Sequence, residues 1–265
     1  MKLLIKNGTI ITRDRTEVNR DILIEDNKIS RIGEGISDAA DQIIDAKGLA
    51  VLPGLVDAHC HLRDPGYEYK EDIKSGSISA AKGGFTSIAC MPNTNPVIDN
   101  ESIVRTIMEK ASHEAVVNVY PIGAITKGLE GNELAEMGSM KAAGIVAVSD
   151  DGKPVMQASV MKKALIYAGG FGLTVISHCE DLNIAEGGSM NEGETSTRLG
   201  VHGIPSAAED VMVSREIILS EYTGMPVHIA HVSTKGAVEM IRQAGLAVYH
   251  LWPNLCSRNK AAAVE

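Results

Sequence analysis

Aromatic side chains are nearly absent from this sequence: two Phe, one Trp and six Tyr among 265 residues. With 44% of residues hydrophobic, the core must come from Ile, Val, Leu, Ala and Met. That length and apolar share suffice for one large domain, or for one domain with an appendage. The four cysteines, Cys60, Cys90, Cys179 and Cys256, show no CxxC spacing. Three of them lie inside apolar runs and read as reduced core residues of a cytoplasmic protein. No apolar stretch is long enough to span a bilayer. The opening MKLLIKNGTI is broken by Lys6 and does not read as a secretion signal. Basic charge is in deficit, with a formal net charge of -9 and acidic residues spread along the chain. Nucleic acid and anionic membrane surfaces are therefore not expected partners.

What is present is rhythm. Residues 1 to about 50 read as short strands: LLIKNGTII, then DILIEDNKISRIG, then QIIDAKGLAVLPG. Asp26-Asn27 suits a tight hairpin turn inside the second of these. The expectation is a small β unit, which the resemblance described below makes the N-terminal part of a β-sandwich. From Val51 to about residue 244 the pattern becomes strand then helix, repeated. The candidate strands VLPGLVDAH, FTSIACM, VVNVYPIGA, GIVAVS, LTVISH and PVHIAH are apolar and rich in β-branched residues, as buried parallel strands are. Helices are predicted at 70–82, 100–113, 131–143, 155–169, 206–222 and 234–243. SAAE at 206–209 reads as a capping box after Pro205, and Ser233 as the cap of the next helix. Residues 181–205, rich in Gly, Glu, Asn and Ser, are predicted to form a long loop. Repeated βα units with polar residues at strand C-termini predict an α/β fold, a (β/α)8 TIM-like barrel that is incomplete at about six units. A doubly wound open sheet would place a Gly-rich turn after the first strand, where this chain has HCHLRDPG.

The chemistry concentrates at those strand ends. In a strand, residues i and i+2 face the same way, so His59 and His61 point together. A lone HxH is equally well two hydrogen-bonded histidines. However, VSDDG closes the fourth strand with Asp150 and Asp151, VISHCE the fifth with His178, and HIAHVS the sixth with His231. A barrel gathers all these ends around one axis. Four imidazoles and a carboxylate suit zinc, with manganese or iron as alternatives. Five ligands exceed what one catalytic zinc takes from protein, so two metals bridged by Asp151 is the expected count. His228 lies three residues before His231, and the odd offset predicts that it packs against a helix. His113 is expected on a solvated helix end, and His202 in the long loop. Arg63, two residues past His61, has the planar fork that suits a carboxylate. Its bland alternative is a salt bridge with Asp64 or Glu68. Asn93, in CMPNTNP, offers donors and an acceptor just past the second strand, or is simply a turn residue before Pro96.

Together, DAKGLAVLPGLVDAHCHLRDPG, CMPNTNP, VSDDG, SHCED, GIPSAAED and HIAHVSTKGAVEMIR resemble, in this order, segments of the longer bacterial type of dihydroorotase, a branch of the amidohydrolase superfamily. The resemblance covers residues 1 to about 244. It implies one zinc on His59, His61 and Asp151, and a second on Asp151, His178 and His231. It also implies that His61, Arg63 and Asn93 bind substrate, the last two through the carboxylate of dihydroorotate. The implied reaction is the reversible opening of the dihydroorotate ring to N-carbamoyl-L-aspartate, in pyrimidine biosynthesis. An Asp in the bridging position, rather than a carboxylated Lys, favours this branch over hydantoinases, dihydropyrimidinases and allantoinases. A homodimer, or association with aspartate carbamoyltransferase, is the partner expectation. A non-catalytic partner of that transferase, or a related cyclic amidase, are the competing readings.

The pattern breaks at the C-terminal end. The family continues through two more strands, and an Asp on the eighth ligates metal and shuttles the proton. No Asp follows Asp210 here. Residues 245–265, which hold the only Trp, do not resemble the family's continuation, and a frameshift or premature end is the expectation. LAVYHLW within them could form a seventh strand. On this reading the ligand set is retained and turnover is small.

Overall fold

The computed structural model describes residues 1–247 and 251–255. The chain divides into two units, Met1–Leu55 and Val56–Glu265.

The first unit is one mixed sheet. Its strands are β1 (Lys2–Ile11), β2 (Thr16–Glu25), β3 (Lys28–Gly33), β4 (Gln42–Asp45) and β5 (Ala50–Val51). They lie in the order β3-β2-β1-β4, and β5 also pairs with β1. The expected hairpin forms, with Glu25 opposite Lys28. Asp26 and Asn27 take φ of 48° and 67°, the left-handed pair that a two-residue turn needs to match strand twist. Leu4, Leu23 and Ile36 form a small core here. Of the expected sandwich portion, the described residues supply this one sheet.

The second unit alternates strand and helix. In chain order it has β6 (Leu55–Cys60), α1 (Ile73–Lys82), β7 (Phe85–Cys90), α2 (Glu101–Glu114), β8 (Asn118–Pro121), α3 (Met137–Ala143) and β9 (Ala147–Ser149). There follow α4 (Ala158–Gly170), β10 (Thr174–Ser177), α5 (Leu182–Ala185), β11 (Met190–Asn191), α6 (Glu194–Leu199) and β12 (Gly203–Ile204). The last described elements are α7 (Ala207–Thr223), β13 (Val227–Val232), α8 (Lys235–Ala247) and β14 (Leu251–Leu255). Two sheets carry the long strands, β6-β7-β8 and β9-β10-β13-β14. A parallel bridge from Gly123 to Val148 links them. The strands therefore follow one another in chain order, and the pairs β7–β8, β9–β10, β10–β13 and β13–β14 are parallel.

Alternation along each strand splits the apolar residues into two cores. Ile88, Cys90, Val148, Val175, Val227 and Ile229 join the large core, together with helix residues such as Ile107, Met161 and Leu165. Their strand neighbours Ala89, Ala147, Ile176 and Ala230 pack instead with Met91 and Ile122. Successive strands thus build a second layer on the face turned away from the helices. This period of two fixes which residues beyond each strand end share that face. Among the described residues, no helix is long and apolar enough to cross a membrane.

Several local expectations are corrected. The helix predicted at 131–143 begins only at Met137; before it, a 3-10 turn at Lys127–Leu129 and Gly131, at φ 72°, fold the chain back so that Thr126 bridges Leu134. The loop predicted at 181–205 contains α5, α6 and the short parallel pair β11–β12. The SAAE capping box does not form. Ser206 has helical angles and no side-chain cap bond. Glu209 instead accepts from the backbone N–H groups of Ser233 and Thr234, at 2.9 Å each. Nor does Ser233 cap α8: the Thr234 hydroxyl accepts from the Ala237 N–H at 3.1 Å, while the Ser233 hydroxyl donates to the His231 carbonyl. A seventh strand does pair with β13, at Leu251–Leu255, while Leu246 and Ala247 of LAVYHLW belong to α8 and residues 248–250 lie outside the described residues.

Candidate metal centre

Face parity brings the polar strand ends together. Asp151 stands four residues past Ala147, His178 two past Ile176 and Asn93 two past Met91, all on the inner face. Asp150 lies on the other side and is tied up there. It accepts from the N–H groups of Ile125 and Thr126 at 2.8 and 3.0 Å, and from the Thr126 hydroxyl. Burial pushes its carboxyl up to about 6, against those three donors.

Asp151 is the hub. Its Oδ1 lies 3.3 Å from His59 Nε2, 3.3 Å from His231 Nε2 and 3.6 Å from His178 Nδ1. Its Oδ2 lies 3.5 Å from His61 Nε2. Two ligand-like groups share this carboxylate: His59, His61 and Asp151, and Asp151, His178 and His231, each with its donor atoms within 4.8 Å of one another. Burial raises the Asp151 carboxyl, but hydrogen bonds from His178, His231 and His59 outweigh it and hold the group far below the usual carboxylate range.

Outer contacts orient the imidazoles. Asn93 Oδ1 lies 3.0 Å from His61 Nδ1, and Asn93 Nδ2 donates to the Asp151 carbonyl at 3.3 Å and to its carboxylate at 3.4 Å. With His61 Nδ1–H donating to Asn93, the Nε2 lone pair is left facing Asp151. Glu180 holds His178 from outside, 3.2 Å from Nε2, so that Nδ1 faces inward. Burial lowers His61 below its ordinary value, against the pull of Asp151 and Asn93. Burial lowers His178 too, but Asp151 and Glu180 raise it further, and its net shift is upward. Four imidazoles grouped around one ionised carboxylate form a donor set that fits zinc.

The inner-face position of His231 depends on a backbone irregularity. Strict alternation from Ala230 would turn it outward. Its φ of 37° and the register shift between Ile229 and Val232 rotate it inward, and Val232 goes to the helix side. This corrects the expectation for His228. It shares the face of Ala230 and feels the charges of His59 and His231, rather than packing against a helix.

Burial, with those two neighbours, pushes His228 down to about 4. Between about 4 and its ordinary 6.5 the unfolded chain binds a proton that the folded chain does not. Its contribution is complete above 6.5 and is lost as pH falls through the folded value. His228→Gln should flatten the acid-side loss of stability in that window by about 2–3 kcal/mol. Urea denaturation of both chains at pH 7 and pH 4.5 checks this, and an unchanged difference between the two pH values would refute it.

Arg63 has φ 59° and sits close enough to His61 for its charge to lower that imidazole. The alternative salt bridges do not form. Asp64 pairs with Lys110 at 2.6 Å, and Glu68 accepts from the Gly66 N–H at 2.8 Å. Among the described residues the Arg63 guanidinium has no ion-pair partner. His113 is exposed in the last turn of α2, His202 lies 3.8 Å from Glu186 away from the cluster, and His250 is outside the described residues. Sequence reasoning missed Glu180 and Glu209. For Glu180 a signal existed, since it follows His178 by two.

Residues 48–237 match the profile of a family described as dihydro-orotase-like. A protein named dihydroorotase from Acetivibrio thermocellus is 60% identical over 243 residues, covering 91% of this chain and 57% of the relative. One of the same name from Ruminiclostridium cellulolyticum is 58% identical, covering 92% of this chain and 57% of the relative. The chain thus spans a little over half the length of these relatives. Among solved structures, an L-hydantoinase from Arthrobacter aurescens has a similar fold, with a TM-score of 0.83 at 24% identity, covering 96% of this chain and 58% of that one. A D-hydantoinase gives 0.79 at 28% identity, covering 97% of this chain and 57% of that one.

Proposed function

We propose, from the premise that this chain belongs to the dihydro-orotase-like family, that its strand ends hold two zinc ions for cyclic-amide hydrolysis. The substrate pair is dihydroorotate and N-carbamoyl-L-aspartate, interconverted in pyrimidine biosynthesis in the cytoplasm. The successive parallel strands are read as staves of a (β/α)8 barrel. The carrying observation is that one buried carboxylate, Asp151, belongs to both three-residue groups. His59, His61 and Asp151 would hold one ion, and Asp151, His178 and His231 the other. When bound, the ions supply Lewis-acid polarisation of the ring amide and an activated water.

The chain's own residues do the rest. Asn93 holds His61 and Glu180 holds His178, each by the ring nitrogen turned away from Asp151. Arg63, which has no ion-pair partner among the described residues, supplies the fork for the substrate carboxylate. His61 and Asn93 line the same side. Relatives named dihydroorotase support this reading over an uncharged ring substrate. The hydantoinase-like fold favours the second reading, a cyclic amidase of the dihydropyrimidinase or allantoinase type.

Arg63 separates the two. Arg63→Gln should weaken dihydroorotate binding to the zinc-loaded chain by about 10–100-fold, since a buried charged hydrogen-bond pair is worth about 1.5–3 kcal/mol. It should leave an uncharged hydantoin unaffected. Isothermal titration with both ligands decides it; equal losses for the two would exclude the carboxylate role.

A further inference from the structure

We infer that α7 frames one half of the site: its carboxylates Glu209 and Glu216 are positioning residues for the His178–His231 pair, and not for His59 and His61. This rests on the metal reading above.

The two strand ends that carry this pair are both gripped from α7. Glu216 is fully buried, and its Oε1 accepts from the Ser177 hydroxyl at 2.9 Å, one residue before His178. It also pairs with Arg215, whose Nη1 donates to the Met156 carbonyl at 3.0 Å. A helix that merely packed on the sheet would place an apolar side chain here, because a buried ion pair rarely outperforms one in stability. At the next strand end, Glu209 accepts from the Ser233 and Thr234 N–H groups and from the Thr234 hydroxyl at 3.1 Å. Asp210 competes with Glu209 for that hydroxyl's one proton, and α8 seats so closely that a Cβ on Gly236 would lie 2.3 Å from Asp210 Oδ2. The Ala208 carbonyl accepts from the Asp181 N–H at 2.8 Å, just past Glu180.

His231 needs such a grip. Its φ of 37° lies in the left-handed region, which costs any residue but glycine about 1–3 kcal/mol and persists where the surroundings over-determine it. Glu209 fixes Ser233 and Thr234, two and three residues further along the chain. The other pair is held differently, by the Met91 N–H donating to the Cys60 carbonyl at 2.9 Å and by Asn93. Among the described residues, α7 makes no hydrogen bond to β6 or to residues 61–66.

The test uses two single-pair backgrounds of the full chain. His61→Asn leaves His178, His231 and Asp151; His178→Asn leaves His59, His61 and Asp151. Zinc affinity is measured in each by competition with a chromogenic chelator, with thermal melts to establish folding. Glu209→Ala should weaken zinc by about 10–100-fold in the first background, the usual size of an outer-partner loss, and leave the second unchanged. Glu209→Gln, which keeps an acceptor oxygen, should recover part of the affinity. Thr234→Val, a milder change, should give a smaller loss in the same background only. No loss in the first background, or equal losses in both, would overturn the inference. A wild-type chain that takes up no zinc would fail earlier, and would sink the metal reading itself.

Discussion

Replacing Asp151 with alanine should empty both halves of the site at once. The wild-type chain is expected to retain about two zinc ions after dialysis, and the variant close to none. The reason is the sharing of one carboxylate. Without it, each half keeps two imidazoles, fewer than the three protein ligands that catalytic zinc usually takes. His61→Asn and His178→Asn should behave differently, each keeping about one ion, because each damages a single group. Asp150→Ala is the informative neighbour. It should keep both ions while losing stability, since it strands two buried N–H groups and a hydroxyl at about 1–3 kcal/mol each. Metal analysis by mass spectrometry across the four variants reads this out. One ion retained by Asp151→Ala would mean that the carboxylate serves one half only.

Most of the site was legible because strand periodicity is rigid. Ala147, Ser149 and Asp151 share a face, as do Ile176 and His178, and the apolar members of each series mark which face is inner. HxH at a strand end and DD at another could therefore be read without coordinates, including that only one Asp of the pair faces the cluster. What failed was parity across an irregular backbone. His228 and His231 are an odd number apart yet lie on one face, because the chain turns over at His231. No side-chain pattern announces a positive φ at a histidine. Capping failed for a related reason. A local capping box competes with tertiary partners, and at Glu209 the uncapped N–H groups of the next helix offered more hydrogen bonds than its own N-terminus. The short elements within 182–204 have too few apolar residues to show a period at all.

The turn after β6 carries the second large expectation. Gly66→Ala should destabilise the chain by about 2–5 kcal/mol, the sum of left-handed strain and overpacking. Gly66 has φ 94°, and a Cβ there would lie 1.9 Å from the Asn95 carbonyl oxygen and 2.8 Å from its carbon. Backbone cannot swing aside as a flexible side chain can, so one loop must move. These are the loops that carry Arg63 and Asn93, and they are joined by the Asn95 N–H donating to the Pro65 carbonyl at 2.9 Å. The variant should therefore also lose affinity for a carboxylate-bearing ligand, while zinc held by His178 and His231 stays. Gly84→Ala is the control for strain alone. Its φ is 83° with no atom within 4 Å of the added methyl, and its expected loss is about 1–2 kcal/mol. Urea denaturation of the two variants compares them directly. If Gly66→Ala cost no more than Gly84→Ala, the close approach of the two loops would not be what fixes the turn after β6.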